Sequence, residues 1–226
     1  MKKNYFVCAL LVLALSVFAS GSFAQGSGPS DSTTPAPTNA TDVGKVLCAG
    51  QTISITGPQD PNGADWTVYH WYKLDAGGNK QLTTVTGRTY TEVASGAGYY
   101  TYQLVTENAS GCTSPISDPF KVYVLPPLTT TITTSISTIC AGVGTTVLTA
   151  NPTPSTGYTL NYQWTRNGVN IPGATSNTYT VSNEATPGTV TFGVVVSYTL
   201  NSSCAGSATS DVVIAPIPTK PSISAN

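Results

Sequence analysis

The chain has 226 residues, a formal net charge of −1, and only 8% charged residues, against about 25% in an ordinary soluble domain. Such a balance gives no electrostatic footprint for nucleic acid or for an anionic membrane surface. No stretch carries a 3.6-residue apolar period over several turns, which excludes a helical bundle and points to β structure.

Residues 1–24 read as a cleaved signal peptide. Lys2 and Lys3 precede an apolar run from Phe6 to Phe18, and Ser22-Phe23-Ala24 offers small residues at the cleavage positions. The run is too short for a comfortable bilayer span, and no later stretch is apolar enough for a transmembrane segment. Residues 25–43, rich in Gly, Ser, Thr and Pro, are expected to form a disordered leader.

From residue 44 to 126 short strand signals alternate with turn signals. Strands are predicted near 51–56, 67–74, 80–84, 88–93, 98–108 and 117–124, bounded by Gly57-Pro58, Pro61-Asn62-Gly63 and Gly77-Gly78-Asn79. Leu125-Pro126-Pro127 closes this unit. A second unit, residues 127–216, carries strand signals near 144–150, 159–167, 178–182, 189–200 and 208–214. Tyr100, Tyr102 and Leu104 alternate onto one face, as do Val190, Phe192 and Val194, so those faces are expected to line a core. Residues 217–226 form a tail. With Pro216 it resembles the stretch from Pro126 to Ser137 and reads like the opening of a further domain.

The second unit repeats the first. Cys48 and Cys112 are 64 positions apart (112 − 48), and so are Cys140 and Cys204 (204 − 140). Cys48-Ala49-Gly50 returns as Cys140-Ala141-Gly142, Tyr69-His70-Trp71 as Tyr162-Gln163-Trp164, and Thr89-Tyr90-Thr91 as Thr178-Tyr179-Thr180. An exported chain keeps its cysteines oxidised. The repeat therefore predicts one bond within each unit, Cys48–Cys112 and Cys140–Cys204. Trp71 and Trp164 are the expected core anchors. Long Thr- and Val-rich strands such as 189–200 raise the question of open edges able to pair with neighbours.

The residues Cys140-Ala141-Gly142, Tyr162-Gln163-Trp164-Thr165-Arg166-Asn167-Gly168, Ile171-Pro172-Gly173-Ala174-Thr175, Thr178-Tyr179-Thr180 and Cys204 resemble the tandem immunoglobulin-like repeats of Bacteroidota surface proteins. The first unit departs from that pattern where Lys73-Leu74-Asp75-Ala76-Gly77 replaces the Asn-Gly turn. The resemblance implies two immunoglobulin-like β-sandwiches in an exported, multi-domain protein, often an adhesin or the accessory region of a secreted enzyme. Because the cysteines flank the strong strands, each bond is expected near one end of its sandwich, tying the opening segment to a late hairpin.

Chemistry-bearing residues are few. His70, the single histidine, has Gln163 as its counterpart and is expected on the outer face, so no catalytic residue is assigned. Asp60, Asp65 and Asp75 lack calcium-loop spacing, and no metal or cofactor is expected. Trp66, Tyr72, Tyr99 and Tyr158 are candidate ligand-contact aromatics at loop edges or outward positions. The expected role is non-enzymatic: a spacer or adhesive module at the cell surface, whose partner is a surface protein or a polysaccharide. The alternative is a carbohydrate-binding accessory module of a secreted hydrolase. The oligomeric state is not legible in the sequence.

Overall fold

A computed structural model describes residues 28–224. Residues 1–24, read above as a signal peptide, and the first residues of the expected leader lie outside that range. The fold is all-β. Among the described residues the one helical turn is a 3₁₀ segment, Ala40–Asp42.

The first sandwich contains β1 (Lys45–Cys48), β2 (Thr52–Thr56), β3 (Val68–Leu74), β4 (Lys80–Leu82), β5 (Thr89–Val93), β6 (Gly98–Glu107) and β7 (Phe120–Leu125). One sheet has the order β1-β7-β6-β3-β4, and β2 pairs with β5 in the other. The second sandwich contains β8 (Thr129–Thr134), β9 (Thr138–Cys140), β10 (Thr145–Thr153), β11 (Leu160–Arg166), β12 (Val169–Asn170), β13 (Thr178–Ser182), β14 (Gly188–Tyr198) and β15 (Ala205–Ala215). Its sheets have the orders β12-β11-β14-β15-β9 and β13-β10-β8. Asn167 and Gly168, both at positive φ, make the tight two-residue turn between β11 and β12 that only Gly and Asn adopt readily.

Alternation builds both cores. Ile53, Ile55, Tyr69, Trp71, Tyr90, Tyr100 and Tyr102 fill the first, and Leu148, Trp164, Val181, Phe192 and Val194 fill the second. Each indole N–H donates to a backbone carbonyl, Trp71 to Gly87 and Trp164 to Ser176, both at 2.9 Å. A buried Trp is thus left with no unsatisfied donor.

Two expectations are corrected. Residues 28–43 are not disordered. β3 stops at Leu74, so the first half of β6 would lack partners on that side. The leader supplies them: Ser30 N–H donates to Tyr99 O at 2.7 Å, Tyr99 N–H to Asp31 O at 2.7 Å, and Ser30 Oγ to Leu74 O at 2.6 Å. Backbone pairing offsets the low apolar content of this stretch. Residues 127–137 open the second module with β8, which pairs with β10 from Leu148↔Thr134 to Thr153↔Thr129. The question of an open edge on the 189–200 strand is answered, since β14 is covered on both sides by β11 and β15.

The second correction concerns the disulfide. Cys48 bonds Cys204, 156 positions on, while Cys112 and Cys140 are free and exposed. The expected pairs Cys48–Cys112 and Cys140–Cys204 do not form. Cys48 lies opposite Leu125 at one end of the first sandwich, where β6 begins with Gly98↔Val124. Cys112 follows the other end of the ten-residue β6, roughly 30 Å away at about 3.3 Å per residue. A disulfide needs Cα atoms within about 7 Å. In the second sandwich Cys140 pairs with Ala215 at the far end of β15, and Cys204 precedes its near end. The bond does tie an opening segment to a late hairpin, but the hairpin belongs to the next module.

Candidate interaction surfaces

The joint between the modules is where the chemistry concentrates. Strand alternation sends neighbouring residues of β1 and β7 into different cores. Leu47, Val122 and Val124 pack into the first sandwich, while Val46, Tyr123 and Leu125 belong to the cluster continuous with the second. The two cores therefore share strands, and no flexible waist separates them.

Four tyrosines line this seam. Tyr99 and Tyr123 meet edge to face at 4.8 Å, as do Tyr158 and Tyr198 at 5.0 Å. The Tyr123 and Tyr158 hydroxyls lie 3.1 Å apart, and Tyr198 OH donates to Pro126 O. Burial pushes the Tyr123 phenol up and the Tyr198 phenol to about 12, because a phenolate would lose its water. Asn201 Nδ2 donates to Val46 O at 2.9 Å beside the disulfide.

The candidate aromatics therefore do not form one platform. Tyr99 and Tyr158 are spent in the seam, and Tyr99 OH also donates to Pro35 O. Trp66 is half-buried against the first core, and its backbone N–H donates to the Tyr69 hydroxyl at 3.1 Å. Tyr72 lies on the outer face of β3, opposite Leu82. A flat surface for a sugar ring needs such side chains side by side, and the fold spreads these over different places.

His70 also points outward, its Nε2 2.8 Å from Glu107 Oε2 across the β3–β6 pair. Among the described residues no cluster of His, Cys, Asp or Glu could hold a metal ion.

Sequence reasoning missed two features. The first is a buried polar cluster. Lys73 lies on the inward face of β3, its Nζ 2.7 Å from Glu92 Oε1. Glu92 also accepts from Tyr90 OH at 2.6 Å and Tyr102 OH at 2.9 Å. Lys73 alternates in phase with Trp71, which was the available signal. The second is a groove of about 450 Å³ along the outer edge of β2, lined by Ile55, Gly57, Trp71, Tyr102, Leu104 and Phe120 among others. In the second module β8 occupies the matching edge of β10, and Thr134 Oγ1 meets Ser210 Oγ on β15 at 2.9 Å.

No family model matches the sequence, and no curated protein matches it. Among solved structures the chain is similar to a marsupial T cell receptor at 12% identity, over 79% of this chain and 73% of that one, with a TM-score of 0.52. It is also similar to the fibronectin(III)-like modules of Clostridium thermocellum CbhA at 14% identity, over 85% of this chain and 99% of that one, with a TM-score of 0.43. At such identities a likeness speaks to fold. The fold is immunoglobulin-like, used twice.

Proposed function

We propose that the chain is a non-enzymatic, exported spacer, built of two immunoglobulin-like modules locked into one stiff body, that holds an interaction surface away from the cell envelope. The observation that carries this reading is the Cys48–Cys204 bond from module to module, reinforced by the tyrosine seam and the shared core cluster. A binding pocket would need none of these. A load-bearing joint needs all of them, since inter-domain motion is the default unless the interface is large and apolar. The disulfide suits an oxidising compartment, and the leader-to-tail order of modules suits a stalk. The motif resemblance to Bacteroidota surface repeats supports the surface location.

Spin labels at Ser110 and Ser207 test the stiffness. A single narrow distance distribution, broadened by reduction, is expected. A broad distribution in the oxidised protein would remove the spacer reading. Protease shaving of intact cells tests the location, with release of peptides from residues 28–224 expected.

A further inference from the structure

The inference that follows deepens the spacer reading and rests on its module-to-module lock. The two free cysteines are the two open halves of the bond that the joint has closed. Cys48 pairs with Leu125 just before Pro126, and Cys140 pairs with Ala215 just before Pro216. At the first site the strand pair Gly98↔Val124 and Tyr99↔Tyr123 lies alongside; at the second, Gly188↔Ile214 and Thr189↔Val213 hold the same places. Cys112 likewise matches Cys204. Each closes a turn braced by an asparagine: Asn108 Oδ1 accepts from Ser110 N–H at 3.0 Å and Cys112 N–H at 2.9 Å, and Asn201 Oδ1 accepts from Ser203 N–H at 3.1 Å. The free thiols sit at opposite ends of the two-module body, and both are exposed.

A second, independent observation points the same way. In the closed joint the chain leaves β7, passes Pro126-Pro127, and lies down as β8 on the outer edge of β10. At the far end it leaves β15, passes Pro216-Ile217-Pro218, and runs on through residues 219–224 without a strand partner among the described residues, with Ile223 98% exposed. The first module offers the matching vacancy, since β2 pairs only with β5 among the described strands and the apolar groove runs along its other edge. Phe120, on the groove wall, is 43% exposed. Its counterpart by strand register is Ser210, the residue β8 covers in the second module.

We propose that copies of this chain join head to tail: Cys140 of one copy bonds Cys112 of the next, and residues 219–224 of the first lie as a strand in the groove beside β2 of the second. The oxidant is a low-molecular-weight disulfide such as oxidised glutathione. The Cys140 thiolate attacks one glutathione sulfur and releases the other half as a thiol. The Cys112 thiolate of the next copy then attacks the Cys140 sulfur and releases the second. Two protein thiols give up two protons and two electrons, and one disulfide becomes two thiols. The contact is heterologous and does not close on itself, so it propagates as a filament. Thr189 and Val213 replace Tyr99 and Tyr123 at the open end, so the new seam is less apolar. The sulfur bridge and the added strand carry the link.

The test oxidises the purified full chain with glutathione disulfide and reads non-reducing gels and a peptide map. The expected result is a ladder of multimers with a Cys112–Cys140 linked peptide beside the Cys48–Cys204 peptide. Cys112→Ser alone and Cys140→Ser alone form no ladder, and their mixture stops at the dimer. Homotypic links at Cys112 or Cys140, or two thiols that stay titratable, overturn the proposal. Absence of the Cys48–Cys204 peptide instead overturns the spacer reading beneath it. A synthetic peptide of residues 216–226, added in excess, is expected to slow the ladder at least tenfold. No slowing overturns the strand part of the link.

Discussion

Pulling the molecule from its two ends offers the sharpest test of the locked joint. Force enters through the leader and β1, crosses the Cys48–Cys204 bond, and leaves along β15. The 156 positions between the two cysteines are spared, because the sulfur bridge carries the load around them. Extended chain reaches at most about 3.6 Å per residue, so the sheltered loop hides roughly 560 Å of length. In oxidising buffer, optical-tweezer or atomic-force traces are expected to show only the short release of residues outside the loop, roughly 140 Å for the flanking stretches of about 20 residues each. After reduction, or in the Cys48→Ser/Cys204→Ser double variant, the hidden length appears. The same bond restrains the unfolded chain, which in the loop-entropy model contributes about 5 kcal/mol for a loop of this size. Urea unfolding of the double variant reads that loss. Full-length extension of the oxidised protein without reductant would refute the reasoning, since no force path through the bond allows it.

Three further outcomes follow from the packing. Glu92→Ala removes the carboxylate 2.7 Å from the buried Lys73 ammonium and is expected to cost about 3 kcal/mol in urea unfolding; Lys73→Met combined with Glu92→Leu is expected to cost less than that single change. Alkali should weaken the fold through the tyrosine seam. The Tyr198 phenol is held at about 12 against 10.0 in a free side chain, so its share of stability is whole below pH 10 and lost as pH rises through 12. Absorbance at the phenolate band, followed with far-ultraviolet dichroism, checks that ionisation and unfolding coincide. Trp164→Ala, at a fully buried position, is expected to cost about 3–5 kcal/mol and to unfold both modules together, because the core cluster runs across the joint. Two separate transitions in that variant would count against the shared core.

The sequence was informative wherever a signal was local. Two-residue alternation through Tyr100, Tyr102 and Leu104, and through Val190, Phe192 and Val194, marks the inward faces, which the fold keeps buried. Gly and Pro clusters mark the turns. The short strands β1, β9 and β12 escaped notice because two to four residues carry too little pattern to stand out. β8 escaped because its Thr-rich, nearly uniform sequence resembles a linker. The leader was misjudged for a related reason: its order comes from backbone bonds to Tyr99 and Leu74, and those leave no trace in side-chain composition. Lys73 looked like a surface residue until Glu92 and two tyrosine hydroxyls supplied its partners.

By itself, the sequence determined that one β module was copied, because strand period, turn residues and cysteine spacing are properties of neighbours along the chain. It could not say which sulfur meets which. A repeated spacing is unchanged when every bond is moved on by one module, so bonding within a module and bonding to the next one look alike on paper. Only the stacking of the sandwiches broke that tie. It set Cys48 and Cys112 at opposite ends of one sheet and brought Cys48 to Cys204 across the joint, since a disulfide forms between residues that are close in space, whatever their spacing in sequence.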